Sequence, residues 1–197
     1  MKVVGVILAG GRARRMGGGD KALAELAGRP LAAHVAERLS DHVAALALNA
    51  NGDPARFAAL GLPVLPDPLP GRPGPLAGVL AALDWAAGQG AEAAVTAPAD
   101  TPFLPPDLVP RLRDASGEGA RPALAAGPAG ALHPLCALWP VRLAPALRAA
   151  LDHGAAKVRD FAADQGAATV AFASEAPFFN VNTPEDLAAA RAELAAR

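Results

Sequence analysis

The sequence predicts an α/β fold: a doubly wound, mostly parallel sheet with helices on both faces. Three observations carry this reading. Short apolar runs alternate with helix-length stretches through the first half of the chain, and that order requires a parallel sheet joined by right-handed crossovers. The first run, VVGVIL (3–8), is apolar and rich in valine and isoleucine, as in a strand buried on both faces. Polar residues then recur where the runs end, at Asn49, Asn51, Asp67, Asp100, Asn180 and Asn182. Open α/β sheets bind ligands beyond the carboxyl ends of their strands. The chain is expected to form one domain over residues 1–197.

Each element follows from its residues. After the opening strand and a glycine-rich loop, PLAAHVAERLS (30–40) spaces Leu31, Val35 and Leu39 one helical turn apart, and Pro30 suits a first turn. VAALALN (43–49) reads as a second strand, DPARFAALG (53–61) as a helix ended by Gly61, and PVLPD (63–67) as a short third strand. A Pro/Gly loop leads into a helix over 75–88, then AAVTAPAD (93–100) forms a fourth strand and PPDLVPRLRDA (105–115) a helix. The stretch 116–130 is irregular around a strand at PALAA. HPLCALWP (133–140) is a further strand and LAPALRAALDHG (143–154) a helix, with TVAFA (169–173) and FFNVN (178–182) as late strands. At the last helix Thr183 caps, Pro184 takes the first turn and Asp186 completes an acidic capping box.

Composition excludes several classes. At 197 residues, 52% hydrophobic and a net charge of −1, the chain is neither a disordered acidic tail nor a basic nucleic-acid binder. It has no tyrosine and few aromatics, so it lacks stacking platforms for single strands. One cysteine, Cys136, rules out an intrachain disulfide framework and a cysteine-rich zinc site. No apolar stretch approaches the roughly 20 residues that span a bilayer, and the N-terminus lacks signal-peptide flanks. A soluble, cytoplasmic protein without nucleic-acid or membrane partners is expected.

The loop LAGGRARRMGGGDK (8–21) holds five glycines, three arginines and a lysine. Bare backbone N–H groups and clustered cations suit a polyphosphate. The loop is not a Walker A motif, since Asp20 precedes Lys21 and Ala22 follows it, and it contains no G-x-G-x-x-G fingerprint. The plainer reading is a surface loop with solvated arginines; its position after a buried strand, at the binding edge, favours the anion site. For each strand-end Asp or Asn taken alone, a turn or cap role is the commoner one; their coincidence at one edge carries the inference.

LAGGRARRMGGGDKALAELAGRPL resembles the signature L-A-G-G-x-x-x-R-M-G-x-x-D-K-x-L of the molybdenum cofactor guanylyltransferases, the MobA family. NAN (49–51), PD (66–67), GPLAG (74–78), PADTPFLPPDLV (98–109), HPLCALW (133–139) and NVNTPEDLA (180–188) follow in the family's order. The likeness covers essentially the whole chain. One departure is Ala99, where the family often has cysteine; no chemistry is expected of that side chain. The first glycine of LAGG, Gly10, stands where the related cytidylyltransferases typically have alanine (L-A-A-G), so the resemblance implies guanine rather than a pyrimidine.

The resemblance implies a Rossmann-like domain of the nucleotidyltransferase type. It implies transfer of GMP from GTP to the terminal phosphate of molybdenum-molybdopterin, with release of pyrophosphate. The partners it implies are GTP, molybdopterin, molybdenum-insertion proteins and the enzymes that receive the cofactor. Asp100 is then the Mg²⁺ ligand, since Mg²⁺ is commonly held by one or two carboxylates plus substrate phosphates. Lys21 and Arg15 neutralise the departing phosphates, and the Leu8, Ala9, Gly10 and Gly11 backbone lies against the nucleotide. Asn49 and Asp67 hold the guanosine, while Asn180 and Asn182 lie near the acceptor phosphate and the metal.

Other polar residues have plainer readings. Asp20 pairs with a loop arginine and orients Lys21, or supports the metal from behind. His133 makes a structural hydrogen bond, or touches the pterin. Cys136 is a buried, inert thiol in preference to a nucleophile. His34, His42 and His153 lack metal spacing and are expected to face solvent. Two rival functions stay open: a related cytidylyltransferase, which would share the loop and aspartate, and a non-catalytic nucleotide-binding module, which has no reason to keep Lys21, Asp100 and NVN together.

Overall fold

A computed structural model describes residues 1–10, 20–69 and 74–196. Gly11 and Arg15, with the neighbouring Arg12 and Arg14, lie outside the described residues.

The strands are β1 (Val3–Leu8), β2 (Glu25–Leu26), β3 (Arg29–Pro30), β4 (Leu46–Asn49), β5 (Val64–Leu65), β6 (Ala93–Pro98), β7 (Ala123–Ala126), β8 (Leu132–Pro140) and β9 (Ala168–Ala171). The α-helices are α1 (Leu31–Ser40), α2 (Pro75–Gly88), α3 (Leu108–Ala115), α4 (Ala144–Asp152), α5 (Val158–Asp164) and α6 (Pro184–Ala195). Seven strands form one sheet in the order β5-β4-β1-β6-β8-β7-β9. β1 runs parallel to β4 and β6, β4 to β5, and β7 to β9. β8 alone among them runs antiparallel to both of its neighbours, β6 and β7. The sheet is thus mostly parallel, with helices on both faces.

Alternation along β1 sorts its side chains between two apolar layers. Val4, Val6 and Leu8 join Leu76, Leu80 and Leu83 of α2, Trp139 of β8 and Leu147 of α4. Val3 and Ile7 face the other way, with Val35 and Leu39 of α1, Leu48 of β4 and Leu108 and Leu112 of α3. Buried polar groups in these layers have partners: the Trp139 indole N–H donates to Thr96 Oγ1 at 3.0 Å, and that hydroxyl donates to the Leu135 carbonyl at 2.8 Å. A third, smaller cluster packs Leu26, Leu31, Phe103, Val181 and Ala190 together. It fastens α6 and the segment before it to the main body.

Several expectations are corrected. Residues 178–182 are not a strand: Ala176–Phe178 is a 3-10 turn, and the chain then crosses beyond the sheet edge. Its apolar Phe178 and Val181 are buried, but the Val181 N–H bonds to the Asp100 carbonyl at the end of β6 rather than to a ladder. Residues 54–60 form a 3-10 rather than an α-helix, capped by the Asp53 side chain and ended by Gly61 at φ 64° as expected. The strand expected over 43–49 begins at Leu46. The sequence reading missed helix α5 and the hairpin of β2 and β3. In that hairpin Ala27 and Gly28 both have positive φ, the geometry of a type I′ turn. Among the described residues no helix is long and apolar enough to cross a membrane.

Candidate active site

The chain leaves β1 for β4 on one side and later returns to β6 on the other, so the strand order reverses between β1 and β6. A crevice at such a switch point is where doubly wound sheets bind ligands. Here three strand ends are stitched together, β1 to β4 by the Ala9 N–H on the Asn49 carbonyl and β6 to β1 by the Ala99 N–H on the Leu8 carbonyl. A cavity of about 1090 Å³ opens above them, lined by Leu8, Ala9, Gly10, Lys21, Asn49, Asp67, Asp100 and Asn180 among others.

Lys21 lies in a 3-10 turn, Lys21–Leu23. Its ammonium pairs with Asp100 Oδ2 and donates to Asn182 Oδ1. Both Lys21 and Asp100 are largely shielded, at 12% and 20% exposed. A carboxylate oxygen and an amide oxygen thus converge on one positive point. This is a hard, oxygen-only donor pair, the type that Mg²⁺ takes together with phosphates and waters. Among the described residues no group of three or more His, Cys, Asp or Glu forms a metal-holding cluster, so substrate oxygens would have to complete such a site. The negative charge of Asp100 also acts on Cys136 behind it. Burial first, and then that charge, push the thiol far above its ordinary value, and Cys136 is buried as expected.

A second cluster gathers at the ends of β4 and β5. Asn49 is buried, and its amide N–H groups go to the Leu65 carbonyl and to Asp67 Oδ1, both at 3.0 Å. Asn51 donates to Asp67 Oδ2 at 2.7 Å and accepts from the Asp67 N–H at 2.9 Å. Two amides therefore fix the Asp67 carboxylate, with Asn49 behind it. Gly78 of α2 makes this seat available, because a Cβ there would stand 2.5 Å from Asn49 Oδ1 and 3.0 Å from Leu8 Cδ2. Asp20 takes Arg56 as its partner, at 2.6 Å, and Arg56 also donates to the Asn51 carbonyl. The expected loop arginine is outside the described residues, so the described Asp20 contact links the two clusters.

The far wall of the cavity carries residues that the sequence reading did not single out. Lys157 and Arg159 flank the start of α5 and line the cavity beside Gly130, Leu132 and His133. Both are cationic and share Asp160 as a partner, at 3.9 and 3.3 Å, and only the missed helix would have marked them. His133 lies flat against Phe178, ring centroids 4.2 Å apart. Its Nε2 stands 2.8 Å from Glu175 Oε1 but outside hydrogen-bonding geometry, so at Nε2 the expected hydrogen bond is not made and the ring is held by its stack on Phe178. His34 does not face solvent freely: its Nε2 lies 2.9 Å from the Leu26 carbonyl. His42 and His153 are exposed.

The last site segment is built on α6. The Thr183 hydroxyl accepts from the Asp186 N–H at 3.1 Å, and the Asp186 carboxylate accepts from the Thr183 N–H at 2.9 Å and the Asn182 N–H at 2.8 Å. This is the expected capping box, extended by one residue to hold Asn182.

A doubly wound sheet with a lysine, a carboxylate and fixed amides in its switch-point crevice defines a nucleotide-handling α/β protein. Residues 5–171 match the MobA-like NTP transferase domain, and the chain belongs to that family. It is 58% identical over 194 residues to a molybdenum cofactor guanylyltransferase of Cereibacter sphaeroides, covering 98% of each chain. It is 55% identical over 190 residues to a protein of the same name from Rhodopseudomonas palustris strain BisB5, covering 94% of this chain and 90% of that one. The molybdopterin-guanine dinucleotide biosynthesis protein A from Archaeoglobus fulgidus superposes with a TM-score of 0.75 at 25% identity, over 99% of this chain and 100% of that one.

Proposed function

We propose that the protein is a molybdenum cofactor guanylyltransferase that moves GMP from GTP to the terminal phosphate of molybdopterin carrying molybdenum and releases pyrophosphate. The observation that carries this reading is the pairing of Lys21 with Asp100 at the switch point, where Asn182 accepts from the same ammonium and the pair lines a cavity of about 1090 Å³. That is at or above the upper end of the range for a single small ligand, and this reaction brings two together.

The attacking group is a phosphate monoester with a second pKa of about 6, so no strong base is required. The demand is for positioning and for relief of repulsion between anions. The Leu8–Gly10 backbone and Asp67, held by Asn49 and Asn51, line the nucleotide side. Gly11 and Arg15 belong to the same loop and are proposed for the same anion. Lysine has three N–H donors; Asp100 and Asn182 take two of those of Lys21, and the third serves the β- and γ-phosphates as pyrophosphate leaves. Lys157 and Arg159 supply positive charge on the acceptor side. Asp100 is the proposed seat of Mg²⁺ through Oδ1, the carboxylate oxygen that Lys21 does not take; the ion when bound would neutralise phosphate charge and act as a Lewis acid.

The test is to supply labelled GTP, CTP or ATP with Mg²⁺ and molybdopterin and to follow labelled dinucleotide. Product is expected with GTP, with CTP and ATP far behind, because buried polar groups matched to one base reject the others. Equal turnover with CTP would replace this reading by a cytidylyltransferase.

A further inference from the structure

We propose that Thr101 is a positioning residue that turns Asn180 into an N–H donor for the acceptor phosphate. This rests on the transfer reaction proposed above, which brings that phosphate to the cavity.

The argument starts from a single hydrogen. A threonine hydroxyl has one proton to give. Thr101 is 1% exposed, and its Oγ1 lies 2.7 Å from Asn180 Oδ1 against 3.5 Å from Asp100 Oδ1. The shorter contact takes the proton. Asn180 therefore has its carbonyl oxygen bound to the protein, and its NH₂ group is the end left for the cavity it lines. The backbone repeats the fastening, since the Val181 N–H bonds to the Asp100 carbonyl at 2.9 Å. Asn182, two residues on, has the opposite polarity: its Oδ1 accepts from Lys21 and its Nδ2 donates to the Asn180 main-chain carbonyl at 3.4 Å. The two asparagines of NVN thus do different work. Asn182 presents oxygen to a cation, and Asn180 presents N–H to an anion. Without the Thr101 hydroxyl nothing in the described structure holds the Asn180 amide in that sense, and the amide rotates.

The experiment is a double-mutant cycle with a spectroscopic arm. Thr101→Val keeps the shape and removes the proton; it should lower kcat/KM for the acceptor about tenfold, the scale of one hydrogen bond, while KM for GTP stays put. Thr101→Ser should regain most of that loss. In an Asn180→Ala background Thr101→Val should cost nothing further. Asn180→Asp, which keeps the oxygen and loses the donor, should be at least as impaired as Asn180→Ala. In ¹⁵N spectra, titration with inorganic phosphate should shift the Asn180 side-chain NH₂ pair in wild type and not in Thr101→Val. Full activity of Thr101→Val, a loss that persists in Asn180→Ala, an active Asn180→Asp, or a phosphate shift unchanged in Thr101→Val would each overturn the proposal. Turnover with CTP instead of GTP overturns only the guanylyl reading, and the cycle is then read with CTP. The phosphate titration needs no turnover at all.

Discussion

A lysine ammonium between a carboxylate and an amide oxygen is held from two sides, and Lys21 is so held by Asp100 and Asn182. The three residues come from distant parts of the chain, so each was visible in the sequence only as one polar residue in a motif. Lys21→Ala removes the charge proposed to face the departing pyrophosphate. It should lower kcat/KM by about 10²- to 10³-fold, the cost of deleting one transition-state stabiliser. Lys21→Arg should not restore it, because a planar guanidinium does not reproduce a compact point charge between two oxygens. The fold should survive both changes, since water reaches Asp100 at 20% exposure and can solvate a carboxylate that has lost its partner. Circular dichroism with steady-state kinetics checks this, and near-normal rates in Lys21→Ala would make the loop merely structural. That Lys157 and Arg159 line the cavity was not legible. Neither sits in a motif, and both face the cavity only because of where α5 begins.

Elements were legible in proportion to how strongly their residues oppose water or prefer one backbone shape. β1 is an unbroken apolar run and β6 is broken only by Thr96, and both fell where the sequence put them, within a residue or two at the ends. α5 was missed because the alanines around it fit either face of any element and blur the periodicity. FFNVN misled by alternating apolar and polar residues, which a strand also does; here Phe178 and Val181 are anchored by side-chain burial without a ladder. The capping box of α6 was readable because Thr, Pro and Asp stand at fixed offsets. It also carries a test. Hydrogen bonds from the Asn182 N–H, and then from Thr183, hold the Asp186 carboxyl below its ordinary value of 3.8. A carboxylate with a lowered folded pKa stabilises the fold above its ordinary value, and that contribution fades as pH falls through the folded one. Asp186→Asn should therefore be less stable than wild type at neutral pH, with the gap closing below pH 3.8. Thr183→Ala should cost about 1 kcal/mol, as lost helix caps do, and should also slow transfer through the loosened Asn182. Urea titrations across pH decide the first point, and a gap independent of pH would refute it.

At the scale of the whole molecule, stability and function occupy different places. Two apolar layers on opposite faces of the sheet hold the fold, while the polar clusters collect at one edge, above the ends of β1, β4, β5 and β6. That edge was predictable, because a parallel sheet aims its strand ends one way. What completes it was legible only in part: Asn180 was expected there, whereas antiparallel β8 brings in His133 and the start of α5 brings in Lys157 and Arg159. With no cluster of three or more metal-binding side chains among the described residues, a divalent ion would depend on substrate phosphates for the rest of its ligands. It should therefore bind with the nucleotide and contribute little alone. Ligands that bind only the folded state raise its stability by about 2.7 kcal/mol at a hundred times Kd. For a chain of this size that corresponds to a rise in Tm of roughly 5–10 °C. The expected thermal-shift pattern is a clear rise with GTP and Mg²⁺ together, a small one with GTP in EDTA, and almost none with Mg²⁺ alone. Asp100→Asn should lose the Mg²⁺-dependent part of the rise, and most of the transfer activity, while melting near the wild-type temperature without ligand. A full shift from Mg²⁺ alone would mean the ion is a structural element of the fold. An equal shift with GTP in EDTA, or an Asp100→Asn variant that still responds to Mg²⁺, would remove Asp100 from the metal site and leave it as a turn residue that happens to hold Lys21.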